Sequence, residues 1–145
     1  MDTRVVAFLK AHRISVLAIS QTDNSVHAAT LHYAFSMDPA GFFFITEKDS
    51  QKCKSLADGG QRPASLVVGF SEEEFATFQA DGQIQMIGDV HHAGWDVYID
   101  KYPTRNRAKL SDEYVLLVFV PTQWKFTDIK TDPKTKITSD GLTFP

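Results

Sequence analysis

The most chemically specific stretch of this 145-residue chain is Phe42-Phe43-Phe44-Ile45-Thr46-Glu47-Lys48-Asp49-Ser50-Gln51-Lys52. An apolar run ends on a threonine, a short polar connection follows, and Ser50-x-Lys52 opens a helix predicted over Ser50–Ala57. Asp49 or Ser50 is its N-cap candidate, and Gly59-Gly60 falls just past its end. Free N–H groups at a helix start, the positive end of its dipole, the Ser50 hydroxyl and the Lys52 ammonium together suit a phosphate. The same residues also describe a plain capped helix with a solvated lysine, so local sequence leaves both readings open.

The other reactive side chains are scattered. The five histidines are His12, His27, His32, His91 and His92, with no i, i+4 pair among them and none at metal-site spacing from Cys53. His91 and His92 are neighbours at a predicted strand end, so their side chains diverge. No metal site is expected. Cys53 is the only cysteine, which excludes an internal disulfide and any multi-thiolate cluster. It reads as a small buried hydrophobe, with a reactive thiol near a helix start as the alternative. There is no glycine-rich phosphate loop and no Gly-x-Ser-x-Gly elbow.

The elements that would position these groups are mostly strands. A helix over the first dozen residues places Val5, Val6 and Leu9 on one side, with Phe8 as a further candidate for that face and Asp2 and Thr3 as capping candidates. Strands are expected at Arg13–Ser20, Val26–Phe35, Gly41–Thr46, Ala64–Phe70, Gln83–Val90, Tyr114–Val120 and Gln123–Ile129, with turn chemistry at Gln21–Asn24 and Asp38–Gly41. Trp95, Tyr98, Ile99 and Tyr102 recur at helical spacing before Pro103. That stripe reads as core, with ligand stacking as the alternative, and Trp124 reads as packing or interface. The result is a mainly β fold: a six- to seven-stranded antiparallel split barrel with short flanking helices. One domain is expected over 1–130, with a polar tail, 131–145, belonging to it.

Phe42–Ile45 presents bulky groups to both faces of its strand, so both faces must be covered, by barrel closure plus a helix or a partner subunit. Val115–Val120 has the same character, and a homodimer is expected on that argument. Lys plus Arg number 15 against 18 Asp plus Glu, a net charge of -3, which speaks against a nucleic-acid surface. The apolar runs are too short to cross a membrane as helices, and Met1-Asp2-Thr3-Arg4 lacks a signal-peptide pattern, so the expected location is cytoplasmic.

The order of these elements over roughly residues 3–128 resembles the FMN-binding split β-barrel superfamily related to pyridoxamine 5'-phosphate oxidase. The resemblance rests on Ile14–Ile19, the strand around His27–Leu31, the Phe-rich strand ending at Thr46, Ser50-x-Lys52 with Leu56, Ala64–Val68 and Gln83–Gly88. The closing Trp124-Lys125-Phe126-Thr127-Asp128 looks like that of a small bacterial branch of it. The resemblance implies FMN as cofactor, with haem or a deazaflavin as alternatives. It also implies flavin contacts at Ala29, Thr30, Leu31, Ile45, Thr46, Ser50, Lys52 and Gln83, the last reaching the flavin near a dimer seam. The oxidase's second-strand Arg and Lys have no counterpart in Ala28–Tyr33 except His32, its second basic residue after the Ser is Gln51 here, and its Arg-Leu-x-Pro ending is absent. Lys48 or Lys54 would have to compensate. The implied function is a flavin-dependent oxidoreductase of unassigned substrate, not pyridoxamine phosphate oxidation. The alternatives are a non-catalytic flavin- or haem-binding module, or a ligand-free dimeric interaction protein.

Overall fold

A computed structural model describes residues 1–139. Helix α1 (Thr3–Ala11) starts where the Asp2 carboxylate accepts the Arg4 amide at 2.8 Å, and it buries Val5, Phe8 and Leu9. Strands β1 (Ile14–Ser20) and β2 (Val26–His32) form an antiparallel hairpin whose turn has Asn24 in the left-handed region. The expected strand Val26–Phe35 then breaks at Tyr33. The Tyr33 amide donates to the Arg13 carbonyl at 3.0 Å, and its hydroxyl to the Leu9 carbonyl at 2.7 Å. Tyr33 thus keeps the β1–β2 register for one more bond, and past it the chain crosses to the other edge of the sheet as β3 (Ala34–Met37) and returns as β4 (Ala40–Glu47).

Helix α2 (Gln51–Lys54) is one turn, shorter than the expected Ser50–Ala57. Strand β5 (Arg62–Val68) follows, then β6 (Ala76–Ile87), helix α3 (Gly94–Lys101), two short 3-10 turns, β7 (Tyr114–Asp128) and β8 (Thr135–Thr138). The strand expected to begin at Gln83 starts seven residues earlier and runs through Asp81-Gly82, where the β6–β7 register shifts at a bulge. Pro121 does not separate two strands. It sits opposite Gly82 at that bulge, where a residue without an N–H costs no ladder bond, and β7 runs through it. Within the polar tail, β8 pairs with Lys125–Asp128, while residues 140–145 lie outside the described residues.

The sheet order is β2-β1-β5-β6-β7-β4-β3, every pairing antiparallel, with β8 added to β7. The seven-stranded sheet curls into a half-barrel with short helices. Its open seam lies between the edges β2 and β3, which are joined only through Tyr33. No helix among the described residues is long and apolar enough to cross a membrane.

Two cores share β4. Phe42 and Phe44 point into the half-barrel with Leu17, Leu66, Phe78, Leu117 and Phe119. Phe43 and Ile45 point outward and meet Trp95, Tyr98 and Tyr102 of α3 together with Leu116. The aromatic stripe is thus core, and the second face of β4 is covered by this chain's own helix. Two-faced burial in β4 therefore does not by itself call for a partner subunit. The Tyr102 hydroxyl donates to the Tyr33 carbonyl at 2.6 Å, and the Lys101 ammonium donates to the His12 carbonyl. These bonds tie α3 to the crossing point of the chain.

At the bulge, a Cβ added to Gly82 would stand 2.2 Å from the Val120 carbonyl oxygen and 2.7 Å from the Pro121 Cα, both backbone atoms. Gly82→Ala is expected to destabilise the fold by about 2 kcal/mol or more, measured by urea unfolding. A near-wild-type midpoint would show that the bulge opens without strain.

Candidate functional site

Thr46 is the last buried position of β4, 7 % exposed, and pairs with Val115 of β7. By strand alternation its side chain turns away from Ile45, which is packed under α3. Beyond it the connection is tightly tied. The Lys48 amide donates to the Glu113 carbonyl at 2.8 Å and the Ser50 amide to the Glu47 carbonyl at 3.2 Å. Ser50 then enters α2. Its hydroxyl does not cap the helix; it donates instead to the Cys53 sulfur at 3.4 Å.

One turn of helix contributes little macrodipole, so the expected helix-end attraction for an anion is largely lost. What remains is the Ser50 hydroxyl, the half-buried Lys52 and the amides of Gln51 and Lys52, which have no acceptor within so short a helix. Lys48 and Lys54 lie elsewhere. They line a cleft of about 430 Å³ with Asp49, Cys53 and Met86, and Lys52 is not part of its wall.

Closure of the half-barrel brings α2 against β2 across the seam. On β2, Ala29 and Leu31 share the partly buried inner face with His27, and Leu31 packs on the inner core. Thr30 is exposed on the opposite face, beside Val16 of β1. Lys52, with Ser50 just ahead of α2 and Thr46 four residues before Ser50, thus lies on the element that meets β2, the strand of Ala29 and Leu31. Thr30 and Ile45 lie on the same strands with their side chains turned away.

Gln83 stands apart. It pairs with Val120 of β7, whereas Thr46 pairs with Val115. Five residues along β7 separate the two levels by roughly 17 Å. His27 was missed as a member of the β2 face, although the period of two from Leu31 through Ala29 points to it.

Cys53 is 1 % exposed, and burial pushes its thiol above the ordinary range, opposed by the Ser50 hydrogen bond and the nearby Lys52. It behaves as a packed hydrophobe. Among the described residues no three His, Cys, Asp or Glu side chains gather as a metal site.

The family model for pyridoxamine 5'-phosphate oxidase matches residues 1–128, which end with β7. The chain belongs to the pyridoxamine 5'-phosphate oxidase family. No curated protein matches it. Among solved structures, a Clostridium acetobutylicum protein related to general stress protein 26, of the pyridoxinephosphate oxidase family, superposes with a TM-score of 0.65 at 14% identity, over 93% of this chain and 90% of that one. A pyridoxamine 5'-phosphate oxidase-related, FMN-binding protein from Nostoc punctiforme gives 0.62 at 20% identity, over 93% and 82%. A haem-binding protein from Mycobacterium smegmatis gives 0.67 at 13% identity, over 92% of this chain and 57% of that one. At these identities the likeness is one of fold, and the family's structural neighbours include both flavin and haem binders.

With its thiol buried and its ionisation suppressed, Cys53 is expected to react with iodoacetamide at neutral pH at least about tenfold more slowly in the native protein than in urea. Equal rates, read by mass spectrometry, would mean that the α2 turn opens freely.

Proposed function

We propose that this member of the pyridoxamine 5'-phosphate oxidase family is a flavoprotein that binds FMN at the seam and acts as a flavin-dependent oxidoreductase. The observation that carries the reading is the seat of α2 against β2. Lys52 lies in that turn, Ser50 at its N-cap and Thr46 four residues earlier, while Ala29 and Leu31 lie on β2. The donor set fits a phosphate monoester, because the Lys52 ammonium and two amides of α2 only donate, the Ser50 hydroxyl can turn its proton from the Cys53 sulfur to a ligand, and a phosphate dianion only accepts. Small Ala29 and apolar Leu31 offer a surface for a flat ring, and the Thr46 hydroxyl supplies a hydrogen bond at its edge. Thr30 and Ile45 contribute through their backbone groups. Bound FMN supplies two-electron redox chemistry. The protein holds the phosphate, orients the ring and shields one of its faces.

Pyridoxamine 5'-phosphate is a poor fit as substrate. The only ionisable side chains on β2 are His27 and His32, and Gln51 stands where the oxidase has its second basic residue. Gln83 supports a homodimer. Its offset of roughly 17 Å along β7 from the level of Thr46 leaves room for a second copy to supply it, as the family resemblance implies. Haem is the second reading, supported by the Mycobacterium smegmatis neighbour.

Titration of the protein with FMN, followed by quenching of flavin fluorescence, is expected to saturate. Lys52→Ala should raise Kd about tenfold or more through loss of a charge-assisted bond, with circular dichroism unchanged. Unchanged affinity in the folded variant would overturn the phosphate position. A Soret band with hemin and no response to FMN or a deazaflavin would move the assignment to haem, and silence towards all three would leave a ligand-free interaction protein. In sedimentation the chain is expected to run as a dimer burying more than about 1,000 Å² in total, and a monomer at micromolar concentration would contradict it.

A further inference from the structure

Under the flavin reading the phosphate end is short of positive charge, and β2 carries a group that can meet the deficit. A phosphate monoester has about two negative charges near neutral pH, and Lys52 supplies one positive charge. The inner face of β2 holds three partly buried side chains, His27, Ala29 and Leu31. Ala29 and Leu31 are apolar. His27 is the one that can take a charge, and its ring has no hydrogen-bond or ion-pair partner among the described residues.

The register sets His27 at the α2 end of the strand. His27 pairs with Ile19 and Ile19 with Ala64, near the start of β5. Leu31 is level, through Ser15, with Val68 at the far end of β5. Residues 55–61 join α2 to the start of β5. Strand β4 leaves the sheet on the same side. Arg62 pairs with Ile84 and Ile84 with Phe119, while Thr46 lies opposite Val115, four residues further toward the start of β7. Thr46, α2 and His27 therefore belong to one end of the sheet, and α2 packs against β2.

The other charged groups of the surrounding elements are occupied or turned elsewhere. Arg62 donates to the Ser20 and Gln21 carbonyls. Asp23 in the hairpin turn accepts from Ser25, and Asp58 beyond α2 accepts from the Gly60 amide. Lys48, Asp49 and Lys54 line their own cleft, and Glu47 is exposed at the end of β4. His32, at the other end of β2, stands edge-on to the Tyr102 ring.

We propose that His27 is the second cationic partner of the FMN phosphate, so that the flavin is held tightly when the imidazole is protonated and loosely when it is neutral. The proposal rests on the flavin reading. Histidine is the side chain that gains its charge between pH 8 and 5, a range in which lysines stay charged. A phosphate monoester keeps most of its second charge down to about pH 6.5. Binding and proton uptake are reciprocal: FMN raises the proton affinity of His27 by the same factor as the proton raises the affinity for FMN.

Quenching of flavin fluorescence at pH 8.5 and pH 6.5 reads this out. The Kd of the unaltered protein for FMN is expected to fall about fivefold from the higher pH to the lower, and that of His27→Gln to change by less than about twofold. His27→Lys, whose charge does not titrate there, should bind FMN at pH 8.5 about as tightly as the unaltered protein does at pH 6.5. Lys52→Ala should bind more weakly at both pH values and keep the ratio. Riboflavin, which lacks the phosphate, should show no ratio at all. Should His27→Gln lose its native circular dichroism, NMR titration of the His27 ring protons carries the same test, with FMN moving the midpoint upward by at least about 0.5 pH. An undiminished ratio in His27→Gln, an equal ratio with riboflavin, or an unmoved midpoint would overturn the proposal and leave the flavin reading intact. Absence of FMN binding at both pH values would instead remove the flavin reading, and the proposal with it.

Discussion

Four consecutive large apolar residues in β4 cannot be buried by a single surface, and the architecture follows from that constraint. Phe42 and Phe44 need the curled sheet, while Phe43 and Ile45 need a lid on its outside. Burying each such side chain contributes on the order of 1.5–3 kcal/mol, so neither face can be left wet in a domain whose net stability is about 5–15 kcal/mol. Helix α3 is the lid, and it approaches so closely that a Cβ at Gly94 would lie 2.4 Å from the Phe43 ring. A helix that tight needs anchoring at its far end. Tyr102 and Lys101 provide this by binding carbonyls at Tyr33, Arg13 and His12, the point where the chain crosses from one sheet edge to the other.

The parts of the fold legible in the sequence were those governed by local periodicity. The first helix, the β1–β2 hairpin, the two-faced β4 and the stripe of α3 each announce themselves within a dozen residues. The parts that were not legible depend on partners distant in sequence. Asp81-Gly82 has turn chemistry, and only the pairing with Val120 and Pro121 turns it into a bulge inside a twelve-residue strand. Pro121 would end a strand in most settings, and is tolerated here because it faces that irregularity. Tyr33 still takes its place opposite Arg13, and the chain leaves the strand only after it, where the Tyr33 carbonyl is held by the Tyr102 hydroxyl. The β4 faces were correctly read as needing two covers, but the sequence does not say which element supplies the second.

The candidate site divides the same way. Thr46, Ser50 and Lys52 lie on one seven-residue stretch, so their nearness is a matter of chain geometry. The contact of α2 with the strand that carries Ala29 and Leu31 depends on closure across the seam, a tertiary event that only the order of elements suggested. Gln83 shows the limit of motif spacing, since a residue on β6 is separated from Thr46 by the whole offset along β7. The shortness of α2 was likewise hidden. Gly59-Gly60 marks a stop, yet the helix ends earlier, at Lys54, where Ser55 closes a tight turn onto the Cys53 carbonyl.

These facts bear on how a flavin would be held, under the proposed reading. With one lysine, one hydroxyl and a one-turn helix, the phosphate end offers few charge-assisted bonds, each worth about 1.5–3 kcal/mol. A ligand with two charges on its phosphate is therefore only partly neutralised, and the rest of its affinity has to come from burying the ring. Ala29 and Leu31 can cover one face of a flat aromatic system, and the seam of a single half-barrel leaves the other open to water. In the proposed homodimer the second face, like Gln83, would come from the other copy. Cofactor affinity and assembly are linked by that geometry: each stabilises the other by the same free energy, since a ligand that binds only the assembled form shifts the equilibrium toward it.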